Sequence, residues 1–196
     1  MELEIGYGKG SQKVRIGPKN LAGVILPNKV SVGKSEEEII REALDNPIGT
    51  LPLEEIARGK KQVAIITSDV TRPMPSYKVL PHVLERLEKA GLEKQQITIV
   101  FAVGSHRKQT EEEKKRLVGE KVYASVHCMD SSECGLIHMG ETRNGTPVDI
   151  AEIVAQADCR ICLGNVEYHF FAGYSGGAKA IMPGVSTREA IRMNHR

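Results

Sequence analysis

Three short stretches carry side chains suited to acid–base chemistry on an anion. Asp69-Val70-Thr71-Arg72 offers a carboxylate and a guanidinium, Gly104-Ser105-His106-Arg107 an imidazole, and Gly164-Asn165-Val166-Glu167-Tyr168-His169 a second imidazole. Arginine grips a carboxylate through two parallel hydrogen bonds, so Arg72 could hold an anion. Two histidines titrating near neutral pH, His106 and His169, can act as paired acid and base. The stretch Gly173-Tyr174-Ser175-Gly176-Gly177-Ala178-Lys179 follows. Its glycines let backbone N–H groups approach an anion, although it matches neither GxxxxGK[ST] nor GxGxxG. Alone, it serves equally well as a flexible turn. Each cluster also has a plain structural reading. Asp69 and Thr71 could cap a helix, with Arg72 pairing locally; His106-Arg107 could be an exposed turn; His169 could pack on Phe170 and Phe171. The recurrence of such groups at three successive strand ends favours one shared site.

The elements that would position them read as strands alternating with helices. Gln62–Thr67, Gln96–Val103 and Cys159–Leu163 are continuous apolar runs, as expected of strands covered on both faces. Each runs into one of the reactive clusters, and in an open α/β sheet ligands bind beyond the carboxyl ends of the strands. Parallel strands would therefore bring the clusters to one edge. Helices are predicted from Ser35, with a capping-box spacing to Glu38; over Pro52–Ala57; over Ser76–Ala90, with an apolar stripe closed by Gly91; over Thr110–Val118; and over Ile150–Ala155. Val122–Val126 is predicted as a strand. Near the N-terminus, Leu3–Ile5, Val14–Ile16 and Val24–Leu26 read as short strands. The fold class is α/β, a mostly parallel sheet with flanking helices and short N-terminal β-strands. Lys179 and His195 are sixteen residues apart, which on one straight helix would set them roughly 160° apart at ~3.6 residues per turn. Pro183-Gly184 breaks that path and lets them meet.

The chain has 196 residues, 40% of them hydrophobic and 27% charged, an ordinary globular balance. A net charge of +2, the lack of a basic stripe and the absence of Trp argue against a nucleic-acid partner. No apolar run approaches the ~18 residues of a membrane span. Four cysteines without a signal-peptide pattern point to reduced thiols and a cytoplasmic protein. Cys159-x-x-Cys162 resembles half a zinc site, but in a strand residues i and i+3 face opposite sides, so buried, inert thiols are the better reading. His82, His127 and His138 read as structural. The final segment from Ser186 starts like a capped helix without a stop signal, and the chain reads as 1–196 of a longer protein, a frayed terminus being the alternative.

Together, SDVTRP at 68–73, GSHR at 104–107, YHFFAGYSGGAKAIMPG at 168–184 and His195 in MNHR resemble the nickel-dependent lactate racemase family. The resemblance covers most of the chain. It implies a single N-terminal catalytic and cofactor domain of a two-domain enzyme whose C-terminal domain is absent. It also implies a nickel pincer nucleotide, a pyridinium mononucleotide bearing a thioamide and a thiocarboxylate. Lys179 would carry it covalently and His195 would ligate nickel. Asp69, Val70, Thr71 and Arg72, with Gly176 and Gly177, would contact it. Arg72 would also hold the substrate carboxylate, and His106 and His169 would be the acid/base pair. The implied activity is racemisation of a 2-hydroxy acid, lactate first, with the missing domain and cofactor-synthesis proteins as partners. The alternatives are a racemase of a larger 2-hydroxy acid and a non-catalytic nucleotide- or anion-binding module.

Overall fold

A computed structural model describes residues 1–170 and 172–195. The chain divides into two compact units, Met1–Ser35 and Glu36–Arg196. The first holds β1 (Glu2–Tyr7) and β2 (Gly10–Arg15), an antiparallel hairpin in which Glu2 faces Arg15 and Tyr7 faces Gly10. The expected third strand at Val24–Leu26 does not form; that segment has no regular element, and Ile25 is wholly exposed. An apolar β-branched run becomes a strand only when a neighbour accepts its ladder, and β1 and β2 already pair with each other.

The second unit contains α1 (Glu36–Asp45), α2 (Leu53–Ala57), β3 (Val63–Ser68), α3 (Ser76–Lys89), β4 (Ile97–Ala102), α4 (Glu111–Val118), α5 (Glu120–Ser125) and β5 (His127–Asp130). After these come β6 (Leu136–Glu141), β7 (Pro147–Ala151), α6 (Glu152–Gln156), β8 (Cys159–Leu163), the two-residue strands β9 (Tyr168–His169) and β10 (Gly173–Tyr174), and α7 (Arg188–Asn194). The central sheet has the order β5-β4-β3-β8, and all of its pairings are parallel. No helix among the described residues is long and apolar enough to cross a membrane.

The apolar runs are continuous because the sheet is covered on both faces. Val63, Ile65, Ile97, Ile99 and Phe101 pack with Leu80, Val83 and Leu87 of α3 and with Val118 and Val122 on one side. Ala64, Ile66 and Val100 pack with Ile150, Ala151, Val154 and Val185 on the other. Successive strand residues thus serve opposite layers, and Phe101, Ile65 and Ile66 are fully buried.

Two further predicted elements are corrected. Val122–Val126, read as a strand, lies in and just beyond α5, and the strand starts at His127. Val122 and Val126 are the buried members of this stretch, and their spacing of four is helical. Gly119, at φ +87°, ends α4 and opens α5. Ile150–Ala155, read as a helix, is divided: Ile150 and Ala151 pair with Ile137 and Leu136 in the β6–β7 ladder, and α6 begins only at Glu152. The expected burial of the thiols holds for Cys159 alone: Cys162, three residues on and facing the other side of β8, is exposed, and all four thiols are free.

Candidate active site

Because β3, β4 and β8 run parallel in register, with Ile65 opposite both Ile99 and Ile161, their carboxyl ends reach one edge. Asp69 leaves β3 and is 2% exposed. Its Oδ1 accepts from the Thr71 amide at 3.1 Å and from the Thr71 hydroxyl at 2.7 Å, a tight local turn. The next backbone amide, Val70 N–H, donates to Gln109 Oε1 at 2.9 Å. Beyond β4, the turn through Gly104 (φ +52°) bonds His106 N–H to Val103 O at 2.8 Å. That turn brings His106 Nδ1 to 2.6 Å from Asp69 Oδ2. A side chain at Gly104 would be strained by its φ and would meet Pro183 O at 3.3 Å. The missing Cβ lets Gly104 N–H reach Gly184 O at 2.9 Å, pinning this turn to the one after Lys179.

The third strand end is built differently. After β8, the Ser175 hydroxyl donates to Asn165 O at 2.8 Å and accepts from Glu167 N–H at 3.0 Å, closing a loop around the β9–β10 hairpin. Gly176 sits at φ +81°, where an added Cβ would fall 2.9 Å from Asn165 O. His169 lies on β9; its Nδ1 accepts from Ala172 N–H at 3.1 Å and its ring stacks at 5.3 Å on Phe170, itself fully exposed. The suggested packing against Phe171 lies outside the described residues. Lys179 stands in a single 3-10 turn, Gly177–Ala180. Past the cis Met182–Pro183 bond the chain returns through α7, whose cap is Thr187 rather than Ser186, and His195 follows its last turn.

These segments enclose one cavity of about 520 Å³, lined by Asp69, Arg72, His106, His169, Lys179 and His195, with Gly176 in its wall. Lys179 and His195 both line this cavity. Val70, Thr71 and Gly177 do not line it; Thr71 donates twice to Asp69, and Val70 N–H donates to Gln109. Burial and the nearby Arg72 charge hold the Lys179 amine below its ordinary value. Burial, then Lys179 and Arg72, hold His169 below its ordinary value as well. The cavity therefore has a cationic field that favours an anionic ligand and neutral bases. Elsewhere, burial pushes the Cys128 thiol up to about 12, too high for thiolate chemistry near neutral pH. Among the described residues no group of three or more His, Cys, Asp or Glu stands ready for a metal.

Sequence reasoning missed Gln109 and Asp130. Asp130 is fully buried and accepts from Gln109 N–H at 2.8 Å and Gln109 Nε2 at 2.9 Å. Lys114 Nζ lies 3.7 Å from it and bonds Glu133 at 2.7 Å. A lone Gln before a helix cap and an Asp at the end of an unrecognised strand gave no local signal.

A family model described as lactate racemase N-terminal domain matches residues 7–196. A lactate racemase of Thermoanaerobacterium thermosaccharolyticum is 37% identical over 199 residues, covering 98% of this chain and 46% of that protein. A lactate racemase of Lactiplantibacillus plantarum is 35% identical over 198 residues, with the same coverage of 98% and 46%. The solved lactate racemase apoprotein from T. thermosaccharolyticum superposes with a TM-score of 0.83 at 37% identity, over 97% of this chain and 45% of that one. A crystal structure of a Thermotoga maritima protein, at 22% identity, matches with a TM-score of 0.63 over 80% of this chain and 40% of that one, a likeness of fold. The chain thus spans about half the length of the curated relatives it matches.

Proposed function

This chain belongs to the lactate racemase N-terminal domain family, and from that premise we propose that it is the cofactor-bearing part of a 2-hydroxy acid racemase, with lactate as substrate. The observation that carries the reading is the single cavity lined by Arg72, His106, His169, Lys179 and His195. The guanidinium of Arg72 binds the substrate carboxylate. One histidine takes the hydroxyl proton of one enantiomer and the other serves the opposite enantiomer, since the two hydroxyl positions differ in space. While the substrate is a planar keto acid, Arg72 keeps its carboxylate in place, so that the two faces are presented in turn.

A nickel pincer nucleotide, when bound, supplies the centre that takes the C2 hydride and returns it. The residues present fit such a group. Lys179 has an amine biased toward its neutral, nucleophilic form by burial and by Arg72. His195 offers an imidazole, a donor that suits nickel alongside sulfur. With no cluster of three protein donors among the described residues, a metal here needs a partner that brings its own ligands, as a sulfur-bearing nucleotide does. Asp69, Val70, Thr71, Gly176 and Gly177 would form the surrounding wall and its support. The other half of the relatives' length would close the cavity and read the substrate's side chain.

The test uses full-length protein produced with the cofactor-synthesis proteins. Intact mass should show an adduct that Lys179→Ala abolishes, and nickel should be present near one per chain. Chiral chromatography should show lactate interconverted faster than larger 2-hydroxy acids. An unmodified Lys179 without nickel would overturn the cofactor reading, and a preference for a larger acid would replace the substrate.

A further inference from the structure

We propose that Asp69 is the positioning residue of His106, and that Gln109 and Asp130 hold Asp69 in place through the loop. This rests on the reading of His106 as an acid/base group. Both Asp69 oxygens are engaged, Oδ1 by two Thr71 donors and Oδ2 by His106 Nδ1, and its side chain is 3% exposed against 45% for His106. A carboxylate that already accepts three hydrogen bonds and is almost wholly buried holds an imidazole firmly in one orientation. An ionised carboxylate only accepts hydrogen bonds, so in neutral His106 the bonded Nδ1 carries the proton. The Nε2 lone pair is then left for the cavity, which is the form a general base requires.

The support continues inward. Val70 N–H bonds Gln109 Oε1, and the Gln109 backbone and side-chain amides both donate to Asp130, which is fully buried at the end of β5. The Gln109 side chain is engaged at both ends in one orientation, its oxygen toward the loop and its nitrogen toward Asp130. A flipped amide would set oxygen against carboxylate and N–H against N–H. The orientation of His106 is therefore set by a chain of bonds reaching two strands away.

The substitution Asp69→Asn tests this. The two Thr71 donors should keep the new amide oxygen on their side, leaving the amide nitrogen toward His106 Nδ1. That N–H2 donates, so Nδ1 must accept and the imidazole proton moves to Nε2. Nitrogen-15 imidazole spectra of this chain should show His106 as the Nδ1–H tautomer in wild type and as Nε2–H in Asp69→Asn. In the full-length holoenzyme, kcat for lactate should fall on the order of 10³- to 10⁴-fold, as when a catalytic histidine is left in the wrong tautomer, with KM within about threefold. Gln109→Met should leave the tautomer in place, speed exchange of the Nδ1 proton and lower kcat by roughly tenfold, within the range for acid–base contributions. An Nε2–H tautomer in wild type overturns the proposal, whether or not Asp69→Asn folds. So does an unchanged tautomer in a folded Asp69→Asn. If wild-type holoenzyme does not racemise lactate, the reaction reading fails while the spectra still decide the role of Asp69.

Discussion

The two sides of the cavity are built to different standards of support. The β3–β4 side rests on buried polar groups: Asp69 on Thr71, Val70 on Gln109, Gln109 on Asp130, and Lys114 between Asp130 and Glu133. The β8 side rests on two-residue strands, one serine hydroxyl bridging a loop and a glycine at positive φ, with Tyr168 and Phe170 exposed. Buried polar networks lock geometry because each member left unpaired is costly. An exposed hairpin of two residues has water to replace its bonds. The difference implies that His106 is held ready, whereas His169 and Lys179 stand on the side that adjusts when a ligand arrives.

The sharpest way to break this contrast is to remove one support from each side. Asp130→Ala leaves both Gln109 amides without their buried acceptor and Lys114 with Glu133 alone, and should cost roughly 3 kcal/mol in urea denaturation. Ser175→Ala removes the hydroxyl shared by Asn165 and Glu167 and should cost about 1 kcal/mol. Equal losses would erase the asymmetry. Hydrogen exchange sharpens the comparison without mutation: amides of 99–103 should open only with global unfolding, while those of 165–170 and 172–176 should exchange through local opening at lower free energy. Matching protection on the two sides would count against the contrast.

The same asymmetry separates what could be read in the sequence from what could not. Strands covered on both faces announce themselves as apolar runs, so β3, β4 and β8 were legible, and with them the edge that gathers Arg72, His106, His169 and Lys179. Helices with strong caps were legible too, as at Thr110, whose hydroxyl accepts from Glu113 N–H while the Glu113 carboxylate accepts from Thr110 N–H. Val122–Val126 failed because a short apolar stretch fits either period, and only packing beneath α3 decides. Gln109 and Asp130 failed for a deeper reason: their roles exist only once β5 lies beside β4. No local pattern marks a glutamine whose oxygen faces a loop 39 residues earlier in the chain.

A smaller effect tests whether the adjustable side is nonetheless electrostatically one with the site. In the folded chain, burial, Lys179 and Arg72 hold His169 below its ordinary value. A histidine lowered in this way binds its proton more readily when unfolded. Its contribution to stability is intact above the unfolded value near 6.5 and is lost as pH falls from there through the folded value. The imidazole Cε1–H resonance of His169, followed from pH 8 to 4, should titrate below the ordinary range. Lys179→Met should move its midpoint up by a few tenths of a unit, the scale expected of one partly screened charge. Lys115→Met, a charge paired with Glu111 on α4, should not move it. A midpoint that ignores both substitutions would mean that Lys179 and His169 do not feel each other across the cavity. The β8 side would then lack the cationic field assigned to it, and only the β3–β4 side would be organised before ligand binds.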